Sequence, residues 1–322
     1  MIVTKEQFFE IQKKISNISF EQTKEWLERG SIETLCKVHF FVDSIDNPQI
    51  ACWGRVTSKR FFGDMLWIDG ISYSPDIDHK ILTSFFKSLI SDKYVSIEIS
   101  DHEVYSPNFE IGIRRAGFIR PWGLTVCPMS IIVDLQKDFC FHRNWRRNVK
   151  KSRESGNLFI HIEKPSERDA LNFIELFSSL TNRKGLEMSL SLKDVYTLFN
   201  GAYDLFFITD KNGKYLSGRI EYKCGDLIYD TIAATTPDGI KSGAAYHIQE
   251  EIFYYYKSLG FKRFDYGRIP PSNNKMDDLY VAKSYSGGRP VGYNGQFMYT
   301  NSRLKSLLFS FYQFVIKKGT CY

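Results

Sequence analysis

Between Phe141 and Gly156 the chain reads FHRNWRRNVKKSRESG, so Arg143, Arg146, Arg147, Lys150, Lys151 and Arg153 put six positive charges into eleven residues. The whole chain carries a net charge of only +6, which leaves the remainder close to neutral. A charge cluster of this kind suits an anion held at one place; phosphate on a nucleotide, a lipid-linked precursor or an RNA is the usual candidate. At helical spacing Arg143, Arg147 and Lys150 share one side with Glu154, overlapped by Arg146 and Arg153, while Trp145 and Val149 point elsewhere and can pack. Guanidinium groups on such a face can grip phosphate bidentately. The plainer alternative is a solvated helix face.

Lys283 offers a second kind of chemistry. It lies in LYVAKSYSGG, a helical stretch stopped by Gly287 and Gly288. An acyl carbonyl under attack becomes a tetrahedral oxyanion, and an ammonium beside that oxygen in a dry site supplies what is commonly the largest catalytic term. The competing reading is a surface lysine on an exposed helix. Asp265 ends a short strand before Gly267 and Arg268; its carboxylate can take a proton from an attacking amine, cap the next turn, or pair with Arg268. Tyr229 can present a hydroxyl, although most strand tyrosines only pack, and Glu221 and Asp230 are secondary candidates for a general base. His247 and Glu251, four apart on one helix, read as a modest stabilising contact.

The chain that must position these groups has 322 residues, enough for two domains. A hydrophobic share of 43% with 16% aromatics provides for large cores, and 25% charged residues is ordinary for a soluble protein. No run approaches the roughly 18 to 20 apolar residues that span a bilayer. The start, MIVTKEQFFEIQKK, lacks a secretory pattern. The expectation is a cytoplasmic protein. Cysteines at 36, 52, 127, 140, 224 and 321 include no CxxC pair, and no HExxH occurs, so neither a disulfide framework nor a metal site is expected.

Periodicity gives the same order of elements twice. In the first half, strands over 49–57 and 62–69 precede a helix over 77–90, with Ile81, Leu82, Phe85, Phe86, Leu89 and Ile90 at helical spacing. A strand over 94–100, a helix ending at Ala116-Gly117 and a strand over 124–135 close that half. In the second half, strands over 204–209, 215–222 and 226–234 precede a helix over 244–259 stopped by Gly260. A strand over 263–266, a helix over 275–285 and a strand over 289–299 complete it. The basic helix sits at the junction, followed by a strand over 158–162 and a helix from Ser166 to about Thr181. The fold expected is α/β: two tandem domains, each a twisted mixed sheet flanked by helices, with boundaries 1–137 and 138–301. Residues 302–322 form a terminal helix whose apolar face, including Leu304, Leu307 and Phe311, is expected to pack on the core. Contact with an anionic membrane surface through Lys317 and Lys318 is its alternative.

This order resembles the GNAT acyltransferase fold, and the tandem arrangement resembles the FemAB-like aminoacyltransferases and their shorter relatives. The resemblance spans roughly residues 15–300. It rests on FEQTKEW from Phe20, AGF from Ala116, IVDL from Ile132, RRNVKK from Arg146, GFKRFDYG from Gly260 and AKSYSGG from Ala282. It implies an N-acyltransferase that moves an acyl or aminoacyl group to an amine on a bacterial cell-envelope precursor, an amino sugar or a peptidoglycan peptide. It implies a lysine at Lys283 near the transferred group, although family members often carry an aromatic residue where this chain has Ala282. The basic helix, with Arg143, Arg146, Arg147 and Lys150, would help shape the acceptor cleft.

An ordinary GNAT enzyme holds coenzyme A where this chain has TPDGIKSGA from Thr236, so Lys241, Ser242, Gly243 and Ala244 are the implied donor contacts. The usual glycine run is degraded there, which leaves room for an aminoacyl-tRNA donor. Larger Fem proteins insert a helical hairpin in the second half; its absence favours acyl-CoA. The implied partners are a small or lipid-linked anionic substrate at the inner face of the membrane, and tRNA if it is the donor, but not DNA. A reading from another class is a non-catalytic protein that holds a phosphate ligand or RNA.

Overall fold

The computed structural model describes residues 1–29, 32–59, 63–121, 129–269 and 277–302, together with Leu304, Leu307 and Phe311. In chain order the first elements are β1 (Ile2–Val3), α1 (Lys5–Gln12), a 3-10 turn (Phe20–Gln22), α2 (Lys24–Glu28), α3 (Ile32–Leu35), β2 (Lys37–Val42), β3 (Ile50–Lys59), β4 (Gly63–Asp69), β5 (Ser72–Tyr73), α4 (His79–Leu89), β6 (Tyr94–Val104) and α5 (Pro107–Arg115). There follow β7 (Met129–Asp134), α6 (Arg143–Glu154), β8 (Leu158–Ile162), α7 (Glu167–Lys184), α8 (Leu192–Tyr196), β9 (Tyr203–Thr209), β10 (Tyr215–Cys224) and β11 (Leu227–Thr235). The last are α9 (Pro237–Ser242), α10 (Ala244–Ser258), β12 (Arg263–Asp265), α11 (Asp277–Ser284) and β13 (Arg289–Thr300).

Two compact units result. The first gathers Met1–Ser130, Arg268–Asp277 and Val291–Tyr322; the second gathers Ile131–Gly267 and Asp278–Pro290. In the first unit β1, β2, β3 and β4 pair antiparallel in that order, β4 pairs parallel with β6, and β13 closes against β6. In the second, β8, β9, β10 and β11 pair antiparallel, β11 pairs parallel with β12, and β7 closes against β12. The sheets have one topology, but the closing strands are exchanged. Sequence order assigns β7 to the first half and β13 to the second, whereas the pairing does the opposite. Strand patterning reports which residues face a core, not which sheet edge the strand joins.

Local chemistry explains the elements. Asp78 caps α4 by accepting from the Lys80 N–H at 2.6 Å, and Leu82, Phe85, Phe86 and Leu89 are buried at helical spacing. On β6, Ile97 and Ile99 enter the core beneath α4 and α5, while Ser96, Glu98, Ser100 and His102 line the other face. A second core, with Phe8, Ile11, Leu27, Phe40 and Trp53, lies under α1 and α2. The parallel pair in each unit is bridged by a crossover helix, α4 or α10, as that topology requires. Most of the helix expected over 302–322 lies outside the described residues. Leu304, Leu307 and Phe311 are helical but exposed, not packed on a core as expected.

Candidate active site

In the second unit β11 and β12 stay paired for only three residues, Leu227–Tyr229 against Arg263–Asp265. Beyond that, β11 runs on to Thr235 while its neighbour turns away through Gly267, whose φ is 68°. The parting leaves a main-chain carbonyl that needs a donor. Lys283, carried on α11, supplies one: its Nζ donates to the Tyr266 carbonyl at 2.7 Å and stands 3.9 Å from Asp230 Oδ2. The ammonium also lies 5.1 Å from the Tyr266 ring centroid. Lys283 is therefore not a surface lysine.

Around it is a buried charged cluster. A bulge between Ile220 and Glu221 leaves Thr231 as an extra residue on β11 and sets Asp230 opposite Glu221. Asp230 Oδ2 accepts from Arg219 Nη1 at 2.5 Å. Glu221 is fully buried, and neither of its carboxyl oxygens has a hydrogen-bond partner among the described residues. Burial, followed by the charge of Asp230, pushes its pKa well above the usual carboxylate range. Burial likewise lowers the Lys283 pKa, and Arg219 adds to this, while Asp230, Asp265 and Glu221 oppose it. Tyr266 is pushed up by burial. A largely buried cation, steadied but not neutralised by a carboxylate at 3.9 Å, can stabilise a developing oxyanion.

Asp265 acts on Lys283 through its charge, and Tyr229 is its neighbour across the sheet. They are register partners whose side chains project to the other face of the sheet. There Tyr229 stacks on Tyr222 at 6.5 Å, and Tyr222 lies 4.9 Å from Tyr203. Asp265 Oδ1 accepts from the Gly267 N–H at 2.8 Å, which is the turn-capping role. Sequence reasoning ranked Glu221 and Asp230 below these two and overlooked Arg219.

The basic helix α6 packs Trp145, Val149 and Ser152 inward, and Trp145 Nε1 donates to Glu250 Oε2 at 2.9 Å. Arg153 is spent on Glu250 and Glu251, at 3.1 and 2.8 Å, and Lys150 lies 3.7 Å from Glu154. Arg143, Arg146 and Arg147 are exposed and form no ion pair among the described residues. A shallow concavity of about 260 Å³ is lined by Arg146, Val149, Lys150, Arg153, Glu154 and Glu250.

The donor stretch is arranged differently from a phosphate cradle. Gly243 has φ 82°, and a Cβ there would run into the Asn148 carbonyl of α6. Gly243 and Ala244 are buried, Ser242 Oγ donates to the Gly239 carbonyl at 3.3 Å, and Lys241 is exposed. The start of α10 is thus covered by α6. His247, between Ser152 Oγ at 3.1 Å and Glu251 at 3.4 Å, belongs to the same helix contact. Among the described residues no His, Cys, Asp or Glu cluster could hold a metal, and no helix is long and apolar enough to cross a membrane.

Each unit's mixed sheet carries one parallel crossover, and the chain has the α/β fold of tandem GNAT-like proteins. Residues 141–280 match the family model described as an acetyltransferase (GNAT) domain. No curated protein matches the sequence. Among solved structures, FemX aligns with a TM-score of 0.75 at 14% identity, over 96% of this chain and 99% of that one. The C-terminal domain of a putative lysylphosphatidylglycerol synthetase from Agrobacterium fabrum aligns at 0.62 and 10% identity, covering 94% of each chain. A tandem GNAT protein from the clavulanic acid biosynthesis pathway aligns at 0.53 and 8% identity, over 94% of this chain and 98% of that one.

Proposed function

We propose that the chain is an N-acyltransferase that moves an aminoacyl group from a tRNA ester to an amine on an anionic cell-envelope precursor. The observation that carries this reading is the buried Lys283 ammonium where β11 and β12 part, braced by Asp230 and Arg219. The amine attacks the ester carbonyl, a C–N bond forms, and the carbonyl electrons move onto oxygen. Collapse breaks the C–O bond, and the departing ribose oxygen takes up the proton released by nitrogen. Lys283 holds the negative oxygen between these events, and losing such a donor typically costs about 100- to 1,000-fold in rate. Positioning of the two substrates supplies the rest.

Two features support tRNA over coenzyme A, despite the missing helical hairpin. The buried Gly243 and Ala244, under the Asn148 carbonyl, leave no open cradle for a pyrophosphate at the start of α10. The exposed Arg143, Arg146, Arg147 and Lys150 follow one another along α6, which suits an extended polyanion better than one compact phosphate. The similarity to a putative lysylphosphatidylglycerol synthetase domain supports an envelope acceptor.

The test is transfer of label from aminoacyl-tRNA or from acetyl-CoA to UDP-linked amino sugars and stem peptides. We expect transfer from the tRNA ester, a loss of about 100-fold or more in Lys283→Ala with its thermal transition retained, and tRNA binding that weakens steeply with salt. Transfer from acetyl-CoA alone would overturn the donor assignment. Full activity in Lys283→Ala would overturn the site.

A further inference from the structure

The first unit contains an arginine whose setting the transfer reading does not use. Arg268 Nη2 donates to Glu21 Oε1 at 3.1 Å and lies 3.0 Å from His102 Nδ1. Glu21 Oε1 is itself 2.6 Å from His102 Nδ1, and Glu21 Oε2 accepts from Ser19 Oγ at 2.7 Å. His102 Nε2 lies 3.3 Å from Ser100 Oγ. Glu21 and His102 are 3% and 5% exposed, whereas the Arg268 side chain is 40% exposed. One end of the guanidinium is therefore fixed in the protein while the rest faces solvent. Its Nε and Nη1 make no hydrogen bond to the described residues.

A purely structural pair would gain most by matching the guanidinium fork to both carboxylate oxygens. Here Glu21 divides its oxygens between Ser19 on one side and His102 with Arg268 on the other, and a single nitrogen of Arg268 is committed. Holding that nitrogen restricts the long side chain in advance and leaves planar N–H groups aimed outward. That arrangement lowers the ordering cost of binding and matches the geometry of a carboxylate or a phosphate.

We propose that Arg268, oriented by a Glu21 that His102 and Ser19 hold in place, anchors an oxyanion of a bound ligand, a phosphate or a carboxylate. The site stands whether or not the aminoacyl-transfer reading holds, and its test is therefore binding, not turnover. Sodium phosphate and sodium acetate are titrated separately into the full chain at constant ionic strength, and heat and thermal stabilisation are recorded for wild type, Arg268→Lys and Glu21→Gln. Arg268→Lys keeps the ion pair with Glu21 but loses the fork. We expect it to unfold at the wild-type temperature without added anion and to bind the preferred anion at least tenfold more weakly. Glu21→Gln, with the guanidinium released, should bind several-fold more weakly. The cations of α6 are the same in all three proteins, so the differences isolate Arg268. Saturation by phosphate alone, acetate alone or both assigns the oxyanion. Equal binding by wild type and Arg268→Lys, or no saturation by either anion, overturns the site.

Discussion

Buried carboxyls with opposite shifts give the molecule opposite acid and alkaline responses. Glu221 is raised by burial first and then by Asp230. The folded state therefore holds this proton more tightly than the unfolded chain, whose carboxyl titrates near 4.5. Its contribution to stability is complete below that value and is lost as pH rises through the folded one. Glu221→Gln mimics the protonated form. We expect it to match wild type in urea unfolding at pH 5 and to exceed it at pH 9; an equal gap at both would refute a protonated Glu221. Glu21 shows the reverse. Burial alone would raise it, but the charge and hydrogen bond of His102, with Arg268 and Ser19, draw it down to about 2. That stabilisation is whole above 4.5 and disappears as pH falls through about 2, a difference on the order of 3 kcal/mol. Glu21→Gln should cost stability at pH 7 and flatten the acid limb of the profile. Residue type made Lys283 legible, because a lysine before a double-glycine stop has a definite chemistry to offer. Arg219 was not legible, since its partner Asp230 is reached across a bulge that no spacing reveals.

At the scale of elements, two close fits hold helices and strands in place. Gly243 has φ 82°, and its Cα faces the Asn148 carbonyl at the crossing of α6 and α10. Gly243→Ala meets both left-handed strain, about 1–2 kcal/mol, and a clash with main chain that cannot swing aside. The thermal midpoint should fall by roughly 5 °C or more; an unchanged midpoint would show that the two helices can separate freely. In the first unit β3 and β4 part beyond Arg55 and Trp67, and the Gln22 amide fills the gap. It accepts from Trp53 N at 2.5 Å and donates to the carbonyls of Trp53 and Asp69 at 3.1 and 2.8 Å. Gln22→Leu keeps the volume but orphans three buried main-chain groups, each worth about 1–3 kcal/mol. Hydrogen exchange at the Trp53 amide should accelerate at least tenfold, and unaltered protection would refute the plug. Helix α4 and the strand meanders were readable because burial imposes strict periods of 3.6 and 2. The FEQ stretch was readable only as a resemblance, because its task is set by strands more than 30 residues away in sequence.

The exchange of closing strands decides how the whole chain can be divided. The chain passes between its units at residues 130/131, 267/268, 277/278 and 290/291, so neither unit is a continuous segment. Contiguous halves were the natural reading, because duplication shows in the order of elements while edge pairing does not. A fragment of residues 1–137 carries β1 to β7 but lacks β13. Along Ser96 to Val104 it would expose the β6 edge that Tyr293 to Thr300 otherwise covers. It would also lose the Phe297 ring, which lies 6.0 Å from Phe109 in the core, and the Asn294 amide that donates to Asp101 at 2.6 Å. An open sheet edge with a core aromatic missing is a site for aggregation. We expect fragment 1–137 to be poorly soluble, with collapsed amide dispersion in its proton–nitrogen spectrum. Fusing residues 291–302 to it through a flexible linker should restore dispersed resonances and slow exchange at Ile97 and Ile99. A well-dispersed spectrum from the bare fragment would mean that the first sheet does not need β13. The two repeats would then be separable modules, and the exchanged strand an accessory to each.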